Sequence, residues 1–171
     1  MKQLLFTVAI LGSLLFSSCG FDKLVRIDNP TNEAITVSID GEEPFTLAAF
    51  EHKRLEGIKG GKHTIKVGDN EPITFNIEHE SVMLNPTQST YIFAEEEYGA
   101  PSMEWKESVK EITLDGKKYK GHFEIVEGNI CIDMGPVNYD AVTPFPNETS
   151  GSSGTIVRMK LYRKSDFKKD Y

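Results

Sequence analysis

The sequence predicts a mostly β protein: an antiparallel β-sandwich-like module followed by a second antiparallel β region, with little helix. Three observations carry that reading. Apolar and polar residues alternate with period two in 33–40, 72–78 and 155–163, the pattern of half-buried strands. Turn dipeptides, Asp40-Gly41 and Asp115-Gly116 among them, separate such runs at short intervals. Asn29-Pro30 and Asn85-Pro86 interrupt the apolar runs, because proline lacks the donor that a ladder needs and asparagine tolerates turn geometry.

Residues 1–19 come first and stand apart from that fold. Lys2 forms a short positive start, Leu4–Phe16 is an uncharged, mostly apolar run of thirteen residues, and Ser17-Ser18 precede Cys19. Such a run falls short of the roughly 18 residues needed to span a bilayer and has the length of a signal-peptide core. The ending resembles the lipobox of bacterial lipoproteins, with Phe16 where that motif usually carries leucine. The resemblance implies cleavage after residue 18, a diacylglyceryl group on Cys19, and a chain of residues 19–171 tethered to a membrane. Each buried methylene of an acyl chain contributes about 0.8 kcal/mol, so two or three chains make the attachment effectively permanent. Gly20 follows the cysteine with no acidic residue beside it. By the enterobacterial sorting rule that favours the outer membrane, at its periplasmic face or the cell surface.

Strands are then expected at 23–28, 33–40, 62–67, 72–78, 81–84 and 89–94, with two short ambiguous pieces near 45–48 and 52–55. Ile35, Val37 and Ile39 share one face of the strand at 33–40, and Ile73, Phe75 and Ile77 one face of the strand at 72–78. The acidic, turn-rich run Glu95–Pro101 places a boundary, giving a first module at 19–94 and a second region at 95–171. Whether the two share one core is left open by the pattern. In the second region, 109–114 and 117–121 flank Asp115-Gly116 as a hairpin, followed by strands at 122–126, 129–134 and 155–163. Ser165 is placed to cap a last helical turn through Tyr171, with a frayed tail as the alternative. Asn-Pro-Thr occurs at 29–31 and again at 85–87. Two copies of a tripeptide lack the sustained self-similarity of a repeat, so both read as independent turns.

The runs Val37-Ser38-Ile39-Asp40-Gly41 and Gly60-Gly61-Lys62-His63-Thr64-Ile65-Lys66-Val67 resemble, over about residues 33–78, the small PEGA-type β-sandwich modules of bacterial envelope proteins. The tetrapeptide that gives those modules their name is absent between the two runs. The resemblance implies a binding or spacing role and brings no catalytic residue with it.

The chain carries a formal charge of −7, and residues 1–18 contain one charged side chain, Lys2, so the remainder carries −8. That balance argues against nucleic acid, whose partners show a basic stripe. With Cys19 acylated, Cys131 has no partner and no intrachain disulfide is expected; a lone thiol of this kind reads as buried and inert.

The long stretch Pro136–Gly154 is the most suggestive for function, since connections this long are usually binding loops or mobile segments. Within it Tyr139 and Phe145, the latter between Pro144 and Pro146, offer rigid aromatic contact area, as do Tyr98 and Trp105 earlier in the chain. Gly57–Thr64 fails the phosphate-loop spacing, with Glu56 and His63 at required positions. His52, His63, His79 and His122 show no metal-binding spacing, and no cofactor motif occurs. Glu95, Glu96, Glu97, Glu104, Glu107 and Glu111 are candidates for a hydrolytic carboxylate pair, with a solvated acidic face as the simpler reading. The sequence thus leads to a non-enzymatic, lipid-anchored envelope protein that contacts an envelope protein or glycan through Tyr98, Trp105, Tyr139 and Phe145. The alternatives are an envelope hydrolase using carboxylates and an inhibitor or immunity lipoprotein.

Overall fold

The computed structural model describes residues 23–99, 103–146 and 155–171; Cys19 and the segment before it lie outside the described residues. In chain order the strands are β1 (Leu24–Asp28), β2 (Ile35–Ile39), β3 (Phe45–Leu47), β4 (His52–Leu55), β5 (Gly61–Val67), β6 (Ile73–Ile77), β7 (Ser81–Leu84) and β8 (Tyr91–Tyr98). After helix α1 (Met103–Glu107) come β9 (Lys110–Leu114), β10 (Lys117–Gly121), β11 (Phe123–Val126), β12 (Cys131–Asp133), β13 (Ile156–Arg163) and helix α2 (Lys164–Asp170). The protein is mostly β, as the alternation predicts. The β9–β10 hairpin turns on Asp115 (φ 49) and Gly116 (φ 80), the left-handed pair that a two-residue turn of this twist demands.

Among the described residues the strands form four sheets, ordered β12-β7-β1-β4, β3-β2-β5-β6, β11-β8-β13 and β10-β9. Every strand pairing is antiparallel except β1 with β7, which run parallel with Val25 opposite Val82. The β12-β7-β1-β4 sheet is buried on both faces. From one face Val25, Ile27, Val82 and Leu84 meet Val37, Ile39, Leu47, Ile65, Phe75 and Ile77. From the other, Met83 and Ile132 meet Tyr91, Val126 and Leu161. Because side chains alternate along a strand, β8 and β13 also present Ile92, Ala94 and Tyr162 outward, where Leu114, Tyr119 and Phe167 cover them. The two halves therefore share one central sheet.

The same five-strand path is traced twice. β1 pairs with β4 and β7 with β12; β2 pairs with β3 and β5, and β8 with β11 and β13. Six residues separate β1 from β2 (29–34) and β7 from β8 (85–90), and four separate β3 from β4 (48–51) and β11 from β12 (127–130). The central sheet reads the same from either edge. Half a turn about an axis lying between β1 and β7, along the strands, exchanges the halves and swaps the faces. Ile27 accordingly points to the β3-β2-β5-β6 sheet and Met83 to the β11-β8-β13 sheet.

This corrects the reading of the two Asn-Pro-Thr runs as independent turns. Asn29 and Asn85 are both fully buried, and each closes its turn in the same way. The Asn29 amide donates to the carbonyls of Glu33 and Ala48, each at 2.8 Å, while its Oδ1 accepts from the Thr31 hydroxyl at 2.7 Å. The Asn85 amide donates to the carbonyls of Ser89 (2.8 Å) and Asn129 (3.0 Å), and its Oδ1 accepts from the Ser89 amide at 3.0 Å. The boundary expected at 94–95 falls inside β8. Glu95–Tyr98, expected as a connection, is strand because β13 offers an eight-residue partner, with Met159 opposite Glu95 and Ile156 opposite Tyr98. The C-terminal turn is helical, anchored by the fully buried Phe167.

Candidate functional site

A groove of about 370 Å³ opens on the outer side of the β11-β8-β13 sheet, lined by Glu96, Tyr98, Phe145, Tyr162, Asp170 and Tyr171 with the flanking Pro144 and Pro146. Strand parity puts Glu96 and Tyr98 on the same side of β8 as Ile92 and Ala94. The Tyr98 hydroxyl lies 2.9 Å from the Pro146 carbonyl and 3.2 Å from Glu96 Oε2, and the Tyr171 hydroxyl donates to Glu96 Oε1 at 3.0 Å. Phe145 packs edge-on to Tyr139 (5.6 Å between ring centroids) and lies 6.0 Å from Tyr162.

Lys160 holds the loop that carries Phe145. Its ammonium donates to the carbonyls of Asp140 (3.0 Å) and Thr143 (2.5 Å) and sits 4.6 Å from the centroid of the Tyr162 ring. Burial pulls the Lys160 pKa down, although Asp140 and other nearby carboxylates oppose it. Asp140 folds the next turn by accepting from the Thr143 hydroxyl at 2.7 Å. Burial and then the Glu96 charge push the Tyr98 phenol up to about 12, and burial with neighbouring carboxylates raises Tyr162 and Tyr171. The phenols therefore stay neutral at ordinary pH, and the charges of the groove are the carboxylates Glu96 and Asp170. Neutral aromatic faces beside acceptors can stack on a flat ring and accept from its polar rim.

Of the four aromatic residues singled out in the sequence, the fold brings three together. Tyr98 and Phe145 line the groove and Tyr139 backs Phe145. Trp105 lies elsewhere, stacked on His122 at 3.5 Å, so Tyr98 to Trp105 does not act as one surface. Tyr162, Tyr171 and Asp170 were not singled out, and Glu96 was weighed only as one of the carboxylates of a hydrolytic pair. The β13 alternation already placed Tyr162 opposite Met159 and Leu161, but only packing of α2 brings Tyr171 alongside. Residues 147–154 of the long stretch lie outside the described residues.

A buried ionic junction ties the halves together behind the groove. Asp28, fully buried at the end of β1, accepts from Arg163 Nε (2.9 Å) and Nη2 (2.5 Å), and from the Tyr91 hydroxyl (2.5 Å). His52 Nδ1 lies 3.1 Å from Asp28 Oδ1, and its Nε2 lies 3.5 Å from Asp140 Oδ2, which is itself 3.6 Å from Arg26 Nε. Burial alone would raise the Asp28 pKa, but hydrogen bonds from Arg163, His52 and Tyr91 outweigh it and hold the carboxyl below its usual range. Arg163 and Tyr91 are both hydrogen-bonded to Asp28 within the protein, so the junction acts as a brace, while the buried His52 Nε2 lacks a hydrogen-bond partner among the described residues.

Two further histidines sit beside carboxylates. His63 bridges Asp40 (2.6 Å) and the Lys59 carbonyl (2.9 Å), and His79 sits 3.3 Å from Asp133. Among the described residues no three His, Cys, Asp or Glu side chains converge as metal ligands. Glu95 and Glu96 face opposite sides of β8, and Glu111 is paired with Lys118 at 2.7 Å. No described helix is long and apolar enough to cross a membrane. No family model, curated protein or solved structure matches the chain.

Proposed function

We propose that this chain is a lipid-anchored envelope protein, acylated at Cys19 and attached to the outer membrane, with a non-enzymatic binding role. Its contact site is the groove of Tyr98, Phe145, Tyr162 and Tyr171, and its partner is an envelope protein or glycan. The observation that carries the binding role is the convergence of four aromatic rings from β8, the 144–146 loop, β13 and the C-terminal tail on one open groove with Glu96 and Asp170. Aromatic side chains gathered on an open surface are the usual anchors of recognition. The signal-like segment and Ser17-Ser18-Cys19 support the anchor.

Crosslinking and pull-down from native membranes tests the site. Tyr98→Ala and Phe145→Ala should each reduce recovery of the partner several-fold, while Trp105→Ala should leave it unchanged. Full recovery with both groove variants would remove this reading. Mass spectrometry of the mature N-terminus tests the anchor, and a non-acylated cysteine there would overturn the placement.

A further inference from the structure

The two halves differ in chemistry at one place in their common path. Val37 pairs with Phe45 and Ile39 with Ile65, just as Phe93 pairs with Glu124 and Glu95 with Met159. Ile39, Phe45 and Ile65 thus correspond to Glu95, Glu124 and Met159. In the N-terminal half these positions belong to the apolar core between the sheets. In the C-terminal half they border a cavity of about 130 Å³, lined by Phe93 and Met159 and by Glu95, Glu124, Lys110, Ser108 and His122. That is smaller than the roughly 300–1,000 Å³ usual for a drug-sized ligand. Two carboxylates where the sister half has isoleucine and phenylalanine contribute nothing to a core, since charge next to apolar surface has to be solvated or paired.

Some carboxylates of this half are paired, Glu111 with Lys118 and Asp115 with both Lys164 and Lys168, while others, Glu127 and Asp170 among them, make no ion pair among the described residues. Among the described residues Glu95, Glu124 and Lys110 make no ion pair. The wall is also set as an acceptor. The Ser108 hydroxyl donates to the Trp105 carbonyl at 2.9 Å and lies 3.1 Å from His122 Nδ1. With its one hydrogen on that carbonyl, Ser108 must accept from Nδ1–H, so a neutral His122 keeps Nε2 as a lone-pair acceptor. Trp105, stacked on the imidazole at 3.5 Å, fixes the ring.

We infer that this cavity binds an alkylammonium group, its charge taken by Glu95 and Glu124 and its apolar stem lying on Phe93 and Met159. Two carboxylates against one lysine favour a monocation over an anion, and the apolar pair favours an aliphatic stem over a bare ion. The same chemistry is offered by a free primary amine and by a lysine side chain of a partner. The site is independent of the aromatic groove, because Glu95 and Glu96 point to opposite sides of β8.

The test is an amide NMR titration of the mature chain with butylammonium, with Nα-acetyl-lysine N-methylamide, and with 1-butanol as the neutral control. Butylammonium should give saturable shifts at Ser108, Lys110 and His122, with 1-butanol at least tenfold weaker. Glu95→Gln and Glu124→Gln should each weaken binding about fivefold or more, and Lys110→Met, which removes the competing cation, should tighten it. Binding of the blocked lysine as well assigns the site to a partner's lysine; binding of butylammonium alone assigns it to a free amine. Absence of saturation with both amines, equal binding of 1-butanol, or indifference to both glutamine variants would overturn the inference. Tyr98→Ala should leave this titration unchanged, which separates it from the groove.

Discussion

Arg163→Met tests whether the buried junction holds the two halves together. The substitution keeps an unbranched stem but removes a guanidinium that makes two bonds to Asp28, at 2.9 and 2.5 Å, and a third to the Phe50 carbonyl at 3.0 Å. Breaking a buried pair from one side costs about 3–5 kcal/mol, because the other charge is left uncompensated. Here Asp28 keeps the Tyr91 hydroxyl at 2.5 Å and His52 at 3.1 Å, so the lower end, about 3 kcal/mol, is expected. Asp28→Leu leaves the cation with the Phe50 carbonyl and should cost about 4 kcal/mol. Leucine is what the second half carries at the corresponding position, Leu84, where it is fully buried. The double variant Asp28→Leu/Arg163→Met should therefore recover to within about 2 kcal/mol of the parent, the shortfall being the Tyr91 hydroxyl and His52 Nδ1 left without Asp28. Urea unfolding of residues 20–171 followed by circular dichroism would measure all three, with m checked for constancy. A cost below about 1 kcal/mol for Arg163→Met, or a double variant equal to the sum of the singles, would refute the junction as a coupled pair.

Four further outcomes can be checked. The folded Asp28 pKa lies below its unfolded value of 3.8, so its stabilisation is present above that pH and is lost as pH falls through the folded value. Arg163→Met removes a main cause of the lowering, so the acid-unfolding midpoint should move up, and an unchanged midpoint would contradict this. Asn29→Ala and Asn85→Ala should cost similar amounts, about 1–3 kcal/mol each, because each strands buried backbone carbonyls; urea midpoints differing by more than twofold in cost would argue against equivalent turns. Burial, helped by Asp133 and Glu78, pushes the Cys131 thiol up to about 11, so it should react slowly with a disulfide reagent at pH 7 and promptly in urea. Acylation at Cys19 predicts a single titratable thiol in the denatured mature chain, and two would exclude it.

The sequence reveals most where the signal is local. Alternation in 33–40 and 72–78 marks strands whose faces the fold then uses as expected, and Asp115-Gly116 forms the predicted hairpin. The acidic run Glu95–Glu97 hid a strand, because nothing apolar marks its period and only β13 supplies the partner. The duplication was nearly invisible. The β2–β3 connection spans 40–44, while its counterpart spans 99–122 and holds α1, β9 and β10, so no fixed period survives. Only Asn-Pro-Thr and two conserved spacings remain to show it.

What the residues settle unaided is the menu of elements: strand, turn and hairpin follow from period, proline and glycine within a few neighbours. What folding in three dimensions decided is which elements face each other. Asp28 and Arg163 meet across 135 positions, and Tyr98, Phe145, Tyr162 and Tyr171 share one groove from four separate segments. A strand's faces are written in its own alternation, but the sheet that covers each face depends on parallel pairing of β1 with β7, a register that no local pattern encodes.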